Sequence, residues 1–191
     1  LEGAPDERTE ALARALSSVG PVKITENLPG ARWSKLAINC AVSTLGTIGG
    51  DRIGALMQRS FVRRLALVIM TEAVAVARAK QVRLEKVAGT IDLDWLALTE
   101  KERGASSSRG LPAKHAVLFL AGLKYRRLRS SMLAAIERGR SPAVDFLNGE
   151  VVEHGAGAGI GVPVNRAAQA LVWQFARGDR RSSVDALSAL Y

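Results

Sequence analysis

The sequence predicts a mainly α-helical fold, a multi-helix bundle preceded by a short α/β remnant. Three observations carry that expectation. From Trp33 onward apolar residues recur at spacings of three and four, the mark of helices with one buried face. Glycines, prolines and short polar residues punctuate those runs where helices start and stop. The one alternating stretch, Pro21-Val22-Lys23-Ile24-Thr25, has no second strand nearby. At 191 residues, 48% apolar and 24% charged, the chain is long enough for a sizeable core and far too apolar for disorder.

Asp6-Glu7-Arg8-Thr9-Glu10 opens a first helix, its acids set against the positive end of the helix dipole, and Gly20 stops it. Pro21 to Thr25 reads as a strand, broken by Asn27-Leu28-Pro29-Gly30. Residues 1–30 therefore look like the trailing helix and strand of an α/β domain whose remainder is absent, and residues 31–191 form a helical domain. The missing initiator Met agrees with a fragment or processed product. Within the helical part, Ala31 to about Leu45 is predicted as one helix, ended by Gly46 and Gly49-Gly50. Asp51 to Gln58 reads as a short helix and Phe61 to Lys80 as a long apolar one, with Leu65, Ile69, Ala73, Val76 and Ala77 on one face. Leu84 to Leu98 is helical in part, and Thr99 to Pro112 is a polar loop. Lys114 to Glu137 resumes as helix; Ser141 caps and Pro142 begins another to Glu153; helices from Pro163 to Arg177 and Ser182 to Leu190 complete the chain.

Composition excludes several functions. The longest apolar runs, Leu65 to Met70 and Ala116 to Ala121, fall far short of the roughly 20 residues a spanning helix needs, so no membrane partner is expected. Cys40 alone can form neither an internal disulfide nor a structural zinc site, and it lies in an apolar run as a small buried hydrophobe; a cytoplasmic location is expected. The N-terminus has early acids and no apolar core, unlike a signal peptide. The net charge of +9 invites a nucleic-acid reading, but the basic residues are interspersed with acids except in Lys124–Arg129 and Arg177–Arg181, short runs typical of solvated helix ends. No base-reading motif accompanies them, so no nucleic-acid partner is expected. The cluster Gly155-Ala156-Gly157-Ala158-Gly159-Ile160-Gly161 fits the dinucleotide pattern G-x-G-x-x-G in no register and follows no strand, so it reads as a helix end and connector. His115 and His154 lack partners at metal-ligand spacing, and no metal is expected.

Chemistry concentrates in Trp33-Ser34-Lys35-Leu36-Ala37-Ile38-Asn39-Cys40-Ala41-Val42-Ser43. Lys35, Asn39 and Ser43 are four apart, drifting only about 40° per step, so they share a polar face in a segment otherwise fit for burial. The alternative is a lysine reaching to solvent with Asn39 and Ser43 bonded in the core. Ser130-Ser131 offers hydroxyls that suit a carboxylate, or bond to the preceding turn. Glu72, a lone acid among apolar neighbours, pairs with a cation across a helix interface or lines a solvated stripe.

These residues together resemble the C-terminal helical domain of the ketopantoate reductase (2-dehydropantoate 2-reductase) family. The likeness begins at Trp33-Ser34-Lys35-Leu36 with Asn39 and runs through Thr71-Glu72-Ala73-Val74. It is strongest from Ser130-Ser131-Met132 through Glu137-Arg138-Gly139-Arg140 to Val144-Asp145-Phe146-Leu147-Asn148-Gly149, and closes at Gly159-Ile160-Gly161-Val162-Pro163-Val164-Asn165. The resemblance implies a bundle similar to the C-terminal domain of 6-phosphogluconate dehydrogenase. It also implies NADPH-dependent reduction of a small 2-keto acid in a cleft against the chain's own N-terminal Rossmann domain, which would hold most of the NADP, and a homodimer. By position Lys35 matches the catalytic lysine, the proton donor to the carbonyl oxygen. Asn39 and Ser43 match substrate-binding asparagines, Ser131 (with Ser130 beside it) a serine holding the substrate carboxylate, and Glu72 a supporting glutamate.

Three positions depart from the family pattern. Ser43 replaces an asparagine, Ala143 a glutamate near the reacting substrate, and Ala135 an aspartate. Two carboxylates and one amide that would recognise a branched hydroxy acid are thereby lost. The competing reading is a non-catalytic helical interaction or oligomerisation module derived from such a reductase.

Overall fold

The computed structural model describes residues 6–87, 90–104 and 108–190. Eleven α-helices are found among them: α1 (Glu7–Ser17), α2 (Leu28–Gly49), α3 (Ile53–Met57), α4 (Ser60–Ala79), α5 (Leu93–Leu96), α6 (Glu100–Gly104), α7 (Leu111–Lys124), α8 (Ser131–Glu137), α9 (Glu150–Gly157), α10 (Pro163–Ala176) and α11 (Val184–Leu187). A π-helical turn, Asp145–Gly149, leads into α9, and a 3-10 turn, Ser188–Leu190, follows α11. The only β pairing among the described residues is an isolated bridge between Val87 and Ile91. The mainly α expectation holds.

The core is built on α2 and α4. Asn27 caps α2 through Gly30 N at 3.1 Å, Pro29 sits in its first turn, and Gly50 ends it in the left-handed region at φ 69°. Ala37, Cys40, Ala41, Thr44, Leu45 and Ile48 face inward at helical spacing and meet Leu65, Ala66, Ile69, Ala73 and Val76 of α4. Trp33 fixes the crossing by donating its indole N–H to Ala73 O at 2.9 Å. Around this pair pack α10 and α11 against α2, α5 and α7 against α4, and α3 against α7. Cys40 is fully buried, and burial pushes its thiol far up from the ordinary value, so it behaves as a small hydrophobe.

Four segments differ from the sequence expectations. Residues 21–25 are not paired as a strand; Lys23 and Thr25 instead engage the Glu85 carboxylate through their side chains. The helix expected over Lys114–Glu137 is two helices, because the intervening backbone turns to meet α3: Ile53 N donates to Leu128 O at 2.9 Å, and Ser130 then caps α8 through Leu133 N. The helix expected from Pro142 begins later, at the π turn, where the Asp145 carboxylate accepts from Gln169 Nε2 at 2.7 Å and Trp173 Nε1 at 3.0 Å of α10. The polar loop after Leu98 contains α6, started by a reciprocal cap: Thr99 N donates to Glu102 Oε2 at 2.8 Å and Glu102 N to Thr99 Oγ1 at 3.3 Å.

The same Glu102 carboxylate is buried and receives Lys114 Nζ at 2.6 Å, while Lys114 also donates to Ala97 O at 2.7 Å. Burial pushes the Glu102 carboxyl up, but Lys114 and the Thr99 amide and hydroxyl outweigh it and hold it below the ordinary value of 4.5. The folded chain thus binds this proton less readily than the unfolded one. The contribution is complete above the unfolded value and is lost as pH falls through the lower folded value. The melting-temperature difference between wild type and Glu102→Gln is expected to be largest near pH ~6 and to shrink toward pH ~3. A difference independent of pH would show that the carboxylate contributes only by packing.

Candidate active site

Lys35, Asn39 and Ser43 lie on one face of α2, as their spacing requires. Lys35 is exposed, and among the described residues its ammonium has no hydrogen-bond partner. Asn39 and Ser43 are half-buried. The lysine therefore stands at the solvent end of the face, with about 12 Å of helix axis separating it from Ser43.

The start of α8 is brought to the far end of that face. Ser130 Oγ lies 2.9 Å from Ser43 O and 2.8 Å from Thr47 Oγ1, and accepts from Leu133 N at 3.3 Å. Ser130 is buried, and its hydroxyl is committed to capping α8 and joining it to α2. Ser131, the first residue of α8, is exposed. Of the two serines, Ser131 has the hydroxyl open to a ligand. Ala135 is half-buried and Ala143 exposed.

Glu72 meets neither a cation nor solvent. Buried on α4, its carboxylate accepts Val164 N at 3.0 Å, Asn165 N at 2.8 Å and Asn165 Nδ2 at 2.7 Å, holding the amino end of α10. Asn165 Nδ2 also donates to Ile69 O at 3.1 Å, and its Oδ1 accepts Asn148 Nδ2 at 2.9 Å. Asn148 Oδ1 in turn accepts Thr44 Oγ1 at 2.5 Å. A buried polar chain, Thr44–Asn148–Asn165–Glu72, thus joins α2, the π turn, α10 and α4. Sequence reasoning assigned no role to Thr44, Asn148 or Asn165; the last two lie in stretches that carry the resemblance, but neither that nor polarity within apolar runs names a partner.

On the other side of Asn39, a cavity of about 250 Å³ opens between α2, α3, α4, α5 and α7. Among the described residues that line it, only Asn39 and Tyr125 carry hydrogen-bonding side chains; hydrocarbon and Met thioethers make up the rest. Elsewhere the polar clusters are structural. His154 lies against the Trp33 ring and near Lys80 and Glu150, and the His115 ring accepts from Arg63. Burial first, then Arg63 and Arg64, lower the pKa of His115. The basic run 124–129 is exposed, with Arg129 paired to Glu137 at 2.6 Å.

The glycine-rich segment does not fit a dinucleotide. It forms the carboxyl end of α9, with Ala158 N donating to His154 O and Ile160 N to Gly155 O, and Gly159 at φ 69°. A pyrophosphate needs free amides at a helix start fed by a strand. Among the described residues no group of three or more His, Cys, Asp or Glu could hold a metal, and no helix is long and apolar enough to cross a membrane. The arrangement supplies one cation, one amide, a hydroxyl and an apolar hollow: a set suited to a small anionic organic molecule with an apolar portion.

Residues 27–176 match the family model described as ketopantoate reductase PanE/ApbA C terminal. The chain is 23% identical over 150 residues to 2-dehydropantoate 2-reductase of Pyrococcus horikoshii, covering 78% of this chain and 41% of that protein. It is 25% identical over 148 residues to the enzyme of the same name from Pyrobaculum aerophilum, covering 78% and 44%. A PanE/ApbA family ketopantoate reductase from Ralstonia eutropha superposes with a TM-score of 0.68 at 27% identity, covering 91% of this chain and 50% of that one. D-mandelate dehydrogenase, solved with NADH and anilino(oxo)acetate, shares the fold at a TM-score of 0.67 and 18% identity, with coverage of 91% and 50%. The chain spans about half the length of the relatives it matches.

Proposed function

The chain belongs to the ketopantoate reductase family, as its C-terminal helical domain, and from that premise we propose that it forms the substrate-binding half of a 2-keto-acid reductase with Lys35 as the proton donor. The observation that carries the reading is Lys35: an exposed ammonium on the same face as Asn39 and Ser43, within the matched span, on a helix whose other faces are locked into the core. Reduction of a ketone carbon builds negative charge on its oxygen. A positioned ammonium stabilises that charge and supplies the proton. Asn39 orients the lysine or a substrate oxygen without competing for the proton, and Ser43 extends the polar face toward the exposed Ser131 hydroxyl at its far end. Ser130 and Glu72 are positioning residues, holding α8 and α10 in place.

The reductant is a nicotinamide, NADP by family analogy, bound outside this chain, since the glycine segment here has the wrong polarity for a pyrophosphate. None of the residues of α1 is buried, and Leu12, Leu16 and Val19 form an exposed apolar stripe. That stripe suits packing on the family's N-terminal Rossmann domain, to which we assign α1 and the segment before α2, with the helical domain running from α2 onward. A homodimer in the cytoplasm completes the proposal. The test is a panel of 2-keto acids, including 2-dehydropantoate, assayed with the full-length protein by nicotinamide oxidation. Turnover of at least one is expected. Failure on all of them, with a folded protein and bound nicotinamide, would overturn the reading in favour of an interaction module.

A further inference from the structure

Resting on the reductase reading, we infer that the cavity beside Asn39 receives the side chain of the substrate, and that this substrate is a 2-keto acid with a bulky apolar group, aryl or branched alkyl, lacking a side-chain hydroxyl. Lys35, Ile38, Asn39 and Val42 stand at i, i+3, i+4 and i+7 and so share one stripe of α2. Ile38, Asn39 and Val42 line the cavity, and Lys35 lies one turn before them at the exposed end of the stripe. A keto acid with its anionic end near this ammonium and its carbonyl near Lys35 and Asn39 directs its remaining group along the stripe, between Val42 and Val117. The charge of the ammonium matches the acid, and the apolar wall matches the rest.

Size agrees. An apolar hollow of about 150 Å³ admits benzene, and this one measures about 250 Å³. Chemistry narrows the class further. A side-chain hydroxyl placed among Val42, Met57, Val117 and Leu128, with Asn39 turned to the carbonyl, would lose its water with only Tyr125 left at the cavity wall as a partner. The replacements at Ala135 and Ala143 remove further acceptors from this half of the molecule.

The experiment uses the full-length protein and a chain-length series: pyruvate, 2-oxobutanoate, 4-methyl-2-oxopentanoate, phenylpyruvate and 2-dehydropantoate. Each buried methylene is worth about fourfold, so kcat/KM is expected to rise at least tenfold from pyruvate to 4-methyl-2-oxopentanoate, and both bulky acids should exceed 2-dehydropantoate. Ala121→Phe, which projects a ring into the cavity, should lower the phenylpyruvate-to-pyruvate ratio of kcat/KM at least tenfold. Should that variant fail to fold, the wild-type series still decides. A flat series, or preference for 2-dehydropantoate, overturns the inference while leaving the reductase reading intact; no turnover of any acid removes the reductase reading itself.

Discussion

Lys35→Ala in the full-length protein is expected to lower kcat by about 10²–10⁴-fold, the range a positioned general acid contributes. KM for the keto acid should change far less, because charge on the carbonyl oxygen is largest in the transition state and an interaction confined to that state acts on kcat. The fold should be untouched. Lys35 is exposed and bonds to no other described residue, so its removal leaves no buried group unsatisfied. Circular dichroism and the melting temperature should coincide with wild type. Lys35→Arg retains the charge but cannot readily give up a proton, since the guanidinium stays protonated in proteins. It is expected to recover only part of the loss. An alanine variant with wild-type kcat would remove Lys35 from the acid role.

This expectation was available from the sequence because α2 is a locally determined helix. The four-residue spacing of Lys35, Asn39 and Ser43 converts directly into a shared face, although the helix runs beyond the expected Ala31 to Leu45: Asn27 caps it, Pro29 lies in its first turn, and it passes through Gly46 to end at Gly50. What the spacing could not give was depth. The segment looked fit for burial, yet its lysine stands in solvent, because burial depends on which neighbours pack against each face. The same holds for the break between α7 and α8. No residue from Lys124 to Arg129 is a strong helix breaker; the chain leaves the helix to satisfy Ile53 N and to present Ser130, both long-range events. The helix α6 was missed although its signal is local: Thr99-Glu100-Lys101-Glu102 is a capping box, but it sits in a polar stretch that reads as a loop. The apolar cavity was out of reach altogether, since its walls come from five helices together with Val87, Ile91, Tyr125 and Leu128. The motifs Glu72, Asn148 and Asn165, which carry much of the family likeness, turn out to meet one another in the buried chain joining α4, the π turn and α10.

That meeting makes Glu72 a residue whose near-isosteric replacement should cost substantial stability. Glu72→Gln is nearly isosteric, so packing is preserved and the effect isolates hydrogen bonding. The carboxylate offers acceptors on both oxygens to three N–H groups, two of them backbone amides in the first turn of α10. An amide keeps one acceptor and turns an NH₂ toward donors. It also removes a negative charge from the positive end of the helix dipole. Replacing a buried ion pair by apolar residues is sometimes harmless because both partners go. Here the backbone donors cannot be removed, and at least one stays buried without an acceptor. Unsatisfied buried donors cost about 1–3 kcal/mol each, more when the lost partner is charged. A total of about 3 kcal/mol at roughly 2–4 °C per kcal/mol lowers the melting temperature by about 6–12 °C. Because Asn165 links Glu72 to Asn148 and Thr44, Glu72→Gln and Asn148→Ala should be non-additive in a double-mutant cycle. A Glu72→Gln melting temperature within about 2 °C of wild type, on the same conversion, would mean that α10 is anchored by its apolar face alone.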